Sequence, residues 1–317
     1  MKIVPGRNHL PALRADHPGG LAVAIGNFDG VHLGHQALVQ AARERAIARS
    51  ATPAVLTFDP HPARLFAPAL APPLIVSLER RLELLAEAGA ELVIVEPFDA
   101  AFAAIEATAF VRDVLARDLG ACEVVVGYDF SFGRDRAGDT RLLAALGEEH
   151  HLGVTVVSRV SMGGLTCSST KVREFVLEGR VGGAALLLGR PFELTGPVVH
   201  GAGRGRALGV PTANVEPDVE LIPAVGIYAG RAVVLGPGAA AGVRRPCAIS
   251  VGTNPTFTAS RAISVEAYLL DFDGDLYGQR LRLEFLHRLR SEQRFASVDA
   301  LMAQINDDIA QTRKLVS

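Results

Sequence analysis

Two histidines three residues apart, His32 and His35, end a run whose other members also suit phosphate: Gly26-Asn27-Phe28-Asp29-Gly30-Val31-His32-Leu33-Gly34-His35. The run follows the apolar pentapeptide Leu21 to Ile25 and leads into a segment of helical spacing. Gly26 and Gly30 permit tight turns and close backbone approach, and a helix N-terminus offers unpaired N–H donors at the positive end of its dipole. The two imidazoles can then face one ligand and hydrogen-bond the charge that builds on a phosphoryl group during in-line displacement, without acting as nucleophiles. A His-x-x-His pair alone is equally at home in a metal site, a helix cap or a polar surface. The full string between strand and helix is what points to phosphate.

Three more segments extend this pattern. Thr57-Phe58-Asp59-Pro60-His61-Pro62 follows a second apolar run, and its prolines fix an extended turn. Gly127-Tyr128-Asp129-Phe130-Ser131-Phe132-Gly133 offers flat apolar surface for a ring system, although a loop packed on core aromatics has the same composition. Ser168-Ser169-Thr170-Lys171-Val172-Arg173 opens a helix. Capping accounts for its hydroxyls but not for two cations at the N-terminal end, where the dipole disfavours positive charge unless an anion binds.

A different constellation occupies the last third. His200-Gly201-Ala202-Gly203-Arg204-Gly205-Arg206 is cationic and glycine-flanked, suited to folding over phosphates, and a mobile surface loop would look the same. Just beyond it, Thr212 and Asn214 alternate onto one face of an extended segment and offer the hard oxygen ligands that Mg²⁺ prefers beside nucleotide phosphates. The segment does not fit a Walker A motif, which excludes an ordinary P-loop kinase. Glu266 is the lone charge among apolar neighbours in Val265 to Leu270, either at an exposed edge or poised as a base for a hydroxyl proton.

The elements that must position these groups fall into two rhythms. Leu21 to Ile25, Ala54 to Phe58, Leu92 to Val95, Glu123 to Val126 and Val154 to Val157 read as parallel strands buried on both faces. Between them, Ser77 to Leu85 has helical spacing, and Thr108 is expected to cap another helix through Leu115. The expected architecture is a doubly wound α/β domain, with ligands bound beyond the carboxyl ends of its strands. After Gly189 come short strands separated by turns: Leu194 to His200, Ile227 to Leu235, Cys247 to Val251, Val265 to Phe272 and Leu281 to Phe285. They predict a small antiparallel barrel or sandwich with a hairpin turn at Asp273-Gly274 and a closing helix over Val298 to Thr312. A helical piece from Lys171 to Leu188, interrupted by Gly179, Gly182 and Gly183, joins the halves, so the expected domains are 1–185 and 186–317.

Composition sets limits. A chain of 317 residues, 49% hydrophobic and 21% charged, can bury two ordinary cores. Its formal net charge of −2 gives no electrostatic case for nucleic-acid or anionic-membrane partners. Met1 to Arg7 lacks a signal-peptide core and no run of about 18 apolar residues follows, so a cytoplasmic protein is expected. Cys122, Cys167 and Cys247 are widely separated and read as reduced, structural thiols.

Gly26 to His35 resembles the Gly-x-Phe-Asp-x-x-His-x-Gly-His signature of the nucleotidylyltransferase superfamily. With Thr57 to Pro62, Gly127 to Gly133 and Ser168 to Arg173, it resembles bacterial bifunctional FAD synthetases, which pair FMN adenylyltransferase with riboflavin kinase. Pro211-Thr212-Ala213-Asn214, Gly252-Thr253-Asn254-Pro255, Glu266 and Leu286-His287-Arg288-Leu289-Arg290 are similar to the riboflavin kinase domain, over nearly all of residues 187 to 313. The resemblance implies a parallel-sheet nucleotidylyltransferase domain followed by a small antiparallel β-barrel with a C-terminal helix. It implies ATP contacts from Gly26, Asn27, Phe28, Asp29, His32, His35, Ser168, Ser169, Thr170 and Arg173, and flavin contacts from Phe58, Pro60, Pro62, Phe66, Asp129 and Phe132. In the kinase half it implies ATP held by Gly203, Arg204, Gly205, Thr212 and Asn214, with Mg²⁺ on Thr212 and Asn214. Glu266 would then deprotonate riboflavin, with Arg294 near the flavin. Implied substrates are ATP, riboflavin and FMN, with Mg²⁺ as cofactor, in a monomer or weak homo-oligomer with no nucleic-acid or membrane partner. Two alternatives stay open: another nucleotidylyltransferase, acting on pantetheine phosphate or a polyol phosphate, and a non-catalytic flavin-binding sensor.

Overall fold

A computed structural model describes residues 1–9, 16–201, 209–236, 241–254 and 262–316. The chain divides into two compact units, Met1–Pro72 with Leu78–Cys167, and Pro73–Ser77 with Ser168–Ser317.

The first unit is built on six parallel strands: β1 (Lys2–Pro5), β2 (Leu21–Ile25), β3 (Thr52–Asp59), β4 (Leu92–Pro97), β5 (Ala121–Gly127) and β6 (Gly153–Val157). Their spatial order is β1-β4-β3-β2-β5-β6. All five residues of central β2 are buried, as a strand covered on both faces by helices must be. The order reverses between β2 and β5, the switch point of a doubly wound sheet, and the loop leaving β2 opens there. Its helices are α1 (Leu33–Arg49), α2 (Pro62–Phe66), α3 (Leu78–Glu87), α4 (Ala100–Ala103), α5 (Ala107–Ala109) and α6 (Thr140–Glu149). α5 runs on as a π-helical stretch, Phe110–Asp118. Its N-cap is Glu106, so Thr108 lies inside the helix and is not the expected cap. The edge strand β1 was not expected; two further short strands, β7 (Ser161–Met162) and β8 (Leu165–Thr166), form a separate hairpin.

The second unit begins with α7 (Ser169–Leu177) and α8 (Val181–Leu188), broken at Gly179, whose φ of 73° suits glycine. Gly182 and Gly183, expected as interruptions, lie within α8. The barrel comprises β9 (Phe192–Val199), β10 (Ala213–Val215), β11 (Gly226–Leu235), β12 (Arg244–Asn254), β13 (Ala262–Leu269) and β14 (Arg280–Arg290). It closes in the order β10-β13-β12-β11-β14-β9, with β9 also paired to β10. β13 and β14 are not neighbours, so Asp273-Gly274 lies in a crossing connection and the expected hairpin is incorrect. A local Asp-Gly signal reports a turn and cannot report which strand the chain pairs with next. Val265, Ala267 and Leu269 are buried on one face of β13, while Ser264, Glu266 and Tyr268 on the other face are half-buried. The closing helix α9 (Val298–Val316) packs on β11, β12 and β14, pinned by a bidentate pair in which Arg290 donates to buried Asp308 at 2.9 and 2.7 Å. Among the described residues no helix is long and apolar enough to cross a membrane.

Candidate functional site

In the first unit, the loop from Gly26 to His32 follows a path that ordinary side chains avoid. Phe28, Gly30 and Val31 have φ of 51°, 82° and 41°. Only the glycine adopts that region freely; for Phe28 and β-branched Val31 it costs on the order of 1–2 kcal/mol each. Their near-complete burial, 0% and 1% exposed, holds the loop in place. Phe28 is therefore a wedge beneath the loop, against Gly26, with its side chain in the core.

His32 is the N-cap of α1: its Nδ1 accepts the His35 N–H at 3.3 Å. An Nδ1 that accepts cannot carry the proton, so neutral His32 is held as the tautomer with Nε2–H as a donor. His35 stacks on it, ring centroids 3.7 Å apart, and tilts against Phe28 at 5.1 Å. The His-x-x-His spacing thus yields two parallel imidazoles, one with a fixed proton. Asp29, within this loop, is 1% exposed.

The loop after β3 comes alongside. The Asn27 carboxamide approaches His61 Nε2 at 3.5 Å, and Thr57 Oγ1 donates to the Asn27 carbonyl at 3.1 Å. His61 caps α2 as His32 caps α1, accepting from the Ala63 N–H. Of the aromatics expected around a ring system, Phe58 (8% exposed) and Phe132 (6%) belong to the core, the first packed on Phe98 and Phe102, the second on Phe110 and Phe130. Phe66 is 68% exposed and meets Phe98 edge-on. Pro60 and Asp129 are exposed and Pro62 half-buried.

Arg81 on α3 was missed as a site residue. Its side chain is 1% exposed, and Nη1 donates to the carbonyls of Phe58 (2.9 Å) and Asn27 (3.2 Å). Burial lowers its pKa, opposed by the charges of Asp29 and Asp59. The signal was present: Arg81 falls three residues after Leu78 and four before Leu85, within the apolar stripe of the helix, where a cation needs partners.

In the second unit, Ser168 caps α7 by accepting the Lys171 N–H at 3.2 Å. Lys171 pairs with Glu174 at 2.7 Å, and the buried Arg173 donates Nε–H to the Pro73 carbonyl at 2.7 Å. Ser169 is half-buried and Thr170 exposed.

The barrel gathers the remaining candidates on one patch. β10 pairs antiparallel with β13 so that Asn214 lies opposite Glu266, and Ser250 of β12 lies opposite Glu266 on the other side. Thr212 Oγ1 donates to Glu266 Oε2 at 3.0 Å. Glu266 is therefore not an edge residue but the middle of three paired strands. Gly201 closes the patch: a Cβ there would sit 2.2 Å from Asn214 Nδ2. Oxygens of Thr212 and Asn214 beside a carboxylate form a donor set that fits Mg²⁺ arriving with nucleotide phosphates. Among the described residues no group of three or more His, Cys, Asp and Glu is arranged to hold a metal. Gly203, Arg204 and Gly205 lie outside the described residues. Arg294 is exposed in the connection to α9. Of the thiols, Cys247 is buried in the barrel, which pushes its pKa far up and leaves it an inert packing group.

Family comparisons divide the chain in the same order as its two rhythms. Residues 14–171 match the FAD synthetase family model, and residues 188–316 match that of riboflavin kinase. A bifunctional riboflavin kinase/FMN adenylyltransferase from Escherichia coli K12 is 38% identical over 99% of this chain and 97% of its own length. Enzymes of the same description from Pseudomonas fluorescens (38% identical, covering 100% and 98%) and Bacillus subtilis (34%, covering 90% and 89%) are also similar. A solved structure titled macrolide-efflux protein, from Streptococcus pneumoniae, superposes with a TM-score of 0.84 at 29% identity, covering 99% of both chains.

Proposed function

Because this chain belongs to the bifunctional riboflavin kinase/FMN adenylyltransferase family and makes first FMN and then FAD, we propose which of its residues carry each step. The efflux title belongs to the pneumococcal protein; relatives aligned over nearly their full length carry the enzyme name.

Riboflavin phosphorylation is assigned to Glu266, Thr212 and Asn214. The observation that carries it is the Thr212 to Glu266 hydrogen bond, which occupies Oε2 and leaves Oε1 to accept a proton. The primary hydroxyl of riboflavin gives that proton to Glu266 as its oxygen attacks the γ-phosphorus of ATP, and ADP leaves. Mg²⁺ held by Thr212 and Asn214 would neutralise phosphate charge. Gly203, Arg204 and Gly205 are assigned to the ATP phosphates and Arg294 to the flavin.

Adenylylation is assigned to His32 and His35, with Gly26, Asn27, Phe28 and Asp29 forming the ATP loop and Ser168, Ser169, Thr170 and Arg173 as further ATP contacts. An FMN phosphate oxygen attacks the α-phosphorus of ATP and pyrophosphate leaves, with no protein nucleophile. The fixed Nε2–H of His32 hydrogen-bonds the charge that grows on the phosphoryl oxygens. Phe66, Pro60, Pro62 and Asp129 are assigned to the flavin with Phe58 and Phe132 behind them, and the functional division to 185/186. The enzyme is proposed to act in the cytoplasm on small molecules, as a monomer or weak homo-oligomer without a nucleic-acid partner.

Purified protein given riboflavin, ATP and Mg²⁺ is expected to yield FMN and then FAD by chromatography, and chelation of the metal to stop both. Persistence of either step in excess chelator would remove Mg²⁺ from it. In a narrower test, Gly201→Ala forces the Asn214 carboxamide aside. A misplacement of about 1 Å costs on the order of 10²-fold, so FMN formation should fall by that factor while adenylylation of supplied FMN continues. Unchanged FMN formation would take Asn214 out of the kinase machinery.

A further inference from the structure

We infer that Arg81 is a positioning residue for adenylyl transfer, a buried cation that fixes the spacing and orientation of the loops after β2 and β3. Its guanidinium reaches a carbonyl in the loop after β2, Asn27 O at 3.2 Å, and one at the end of β3 where the next loop departs, Phe58 O at 2.9 Å. Thr57 Oγ1 stands 3.3 Å from the same Nη1 and itself donates to Asn27 O, closing a small network between the loop after β2 and the end of β3. Asp59 Oδ1 lies 3.7 Å from Nη2. Charge-assisted bonds of this kind are about twice as strong as neutral ones, and those to Phe58 O and Thr57 Oγ1 are buried.

The network also sets direction. A peptide group is planar and trans, so an Asn27 carbonyl turned toward Arg81 points the Phe28 N–H the opposite way. One N–H of the loop that ends in His32, that of Phe28, is thereby aimed by a side chain on α3. Lysine can replace the arrangement only in part: the close contacts come from Nη1, which an ammonium can mimic as a compact point charge, but lysine lacks the second nitrogen that faces Asp59 at 3.7 Å.

The inference rests on the assignment of these two loops to adenylylation. It is tested in the full-length enzyme with Arg81→Gln and Arg81→Lys, with rates expressed per molecule whose first unit is folded, counted from the amplitude of its cooperative thermal unfolding. For Arg81→Gln, kcat for FMN to FAD should fall about 10²-fold with KM for ATP changed less than about threefold; Arg81→Lys should recover part of kcat. A merely structural arginine would lower yield and melting temperature but leave kcat per molecule with a folded first unit unchanged, which would overturn the inference. Should Arg81→Gln fail to accumulate, Thr57→Val removes the bridging hydroxyl alone and is expected to lower kcat several-fold in the same way; wild-type kcat there also counts against it. His32→Asn run in parallel separates the two levels: if it too is fully active, the loop assignment itself is wrong.

Discussion

Glu266→Gln will leave riboflavin unphosphorylated, with FMN formation down about 10²- to 10⁴-fold, the range that loss of a positioned general base produces. Glutamine keeps the shape of the side chain and an oxygen for the Thr212 hydroxyl, so the three-strand patch around position 266 is retained. What disappears is the basicity. FMN supplied from outside should still be converted to FAD at close to the normal rate, because Glu266 belongs to the second unit and the adenylylation loop to the first. A Glu266→Gln enzyme that phosphorylates riboflavin at more than about a tenth of the normal rate would show that the proton leaves by another route.

The second large effect is expected at His32. Asparagine is among the best N-cap residues, so His32→Asn preserves an acceptor for the His35 N–H while deleting Nε2–H. Riboflavin should then be carried to FMN and stop, with FAD formation reduced about 10²- to 10³-fold, as for removal of one transition-state donor. His32→Ala loses the cap as well, at about 1 kcal/mol. The two variants should therefore share a kinetic defect and differ in melting temperature. If the defect appears only in the alanine variant, His32 serves the helix and not the phosphate.

The sequence revealed much of this arrangement, and what it hid was non-local. Five of the parallel strands were found because each is an apolar run, and β2 was located to the residue; β6, expected to be buried on both faces, is instead an edge strand with Val156 44% exposed. β1 escaped because Lys2, Ile3 and Pro5 are exposed at a sheet edge, so a four-residue strand carries almost no pattern. Five of the six barrel strands were legible, β10 only as an extended segment around Asn214, but not their neighbours, since pairing partners are chosen by closure and not by the nearest turn. The histidines and Glu266 stood out by type and spacing. Their partners did not: the cap that sets the His32 tautomer and the Thr212 hydroxyl on Glu266 are distances, and Arg81 passed unremarked inside a segment of helical spacing. Phe28 and Phe132 were legible as aromatics, whereas their burial depended on what packs against them.

Closure of the barrel also bears on how the enzyme comes into being. β9 enters the barrel first, yet its partner along most of its length is β14, with Phe192 opposite Phe285. The central parallel strands of the first unit are all available once residue 157 has emerged, whereas the kinase core cannot shut until nearly the whole chain is made. Bringing such distant segments together carries a large loop-closure entropy and slows folding. During synthesis the strand pairing needed for FAD chemistry can thus be in place while the apparatus that makes FMN is still an open sheet, the reverse of the order in which the two reactions run.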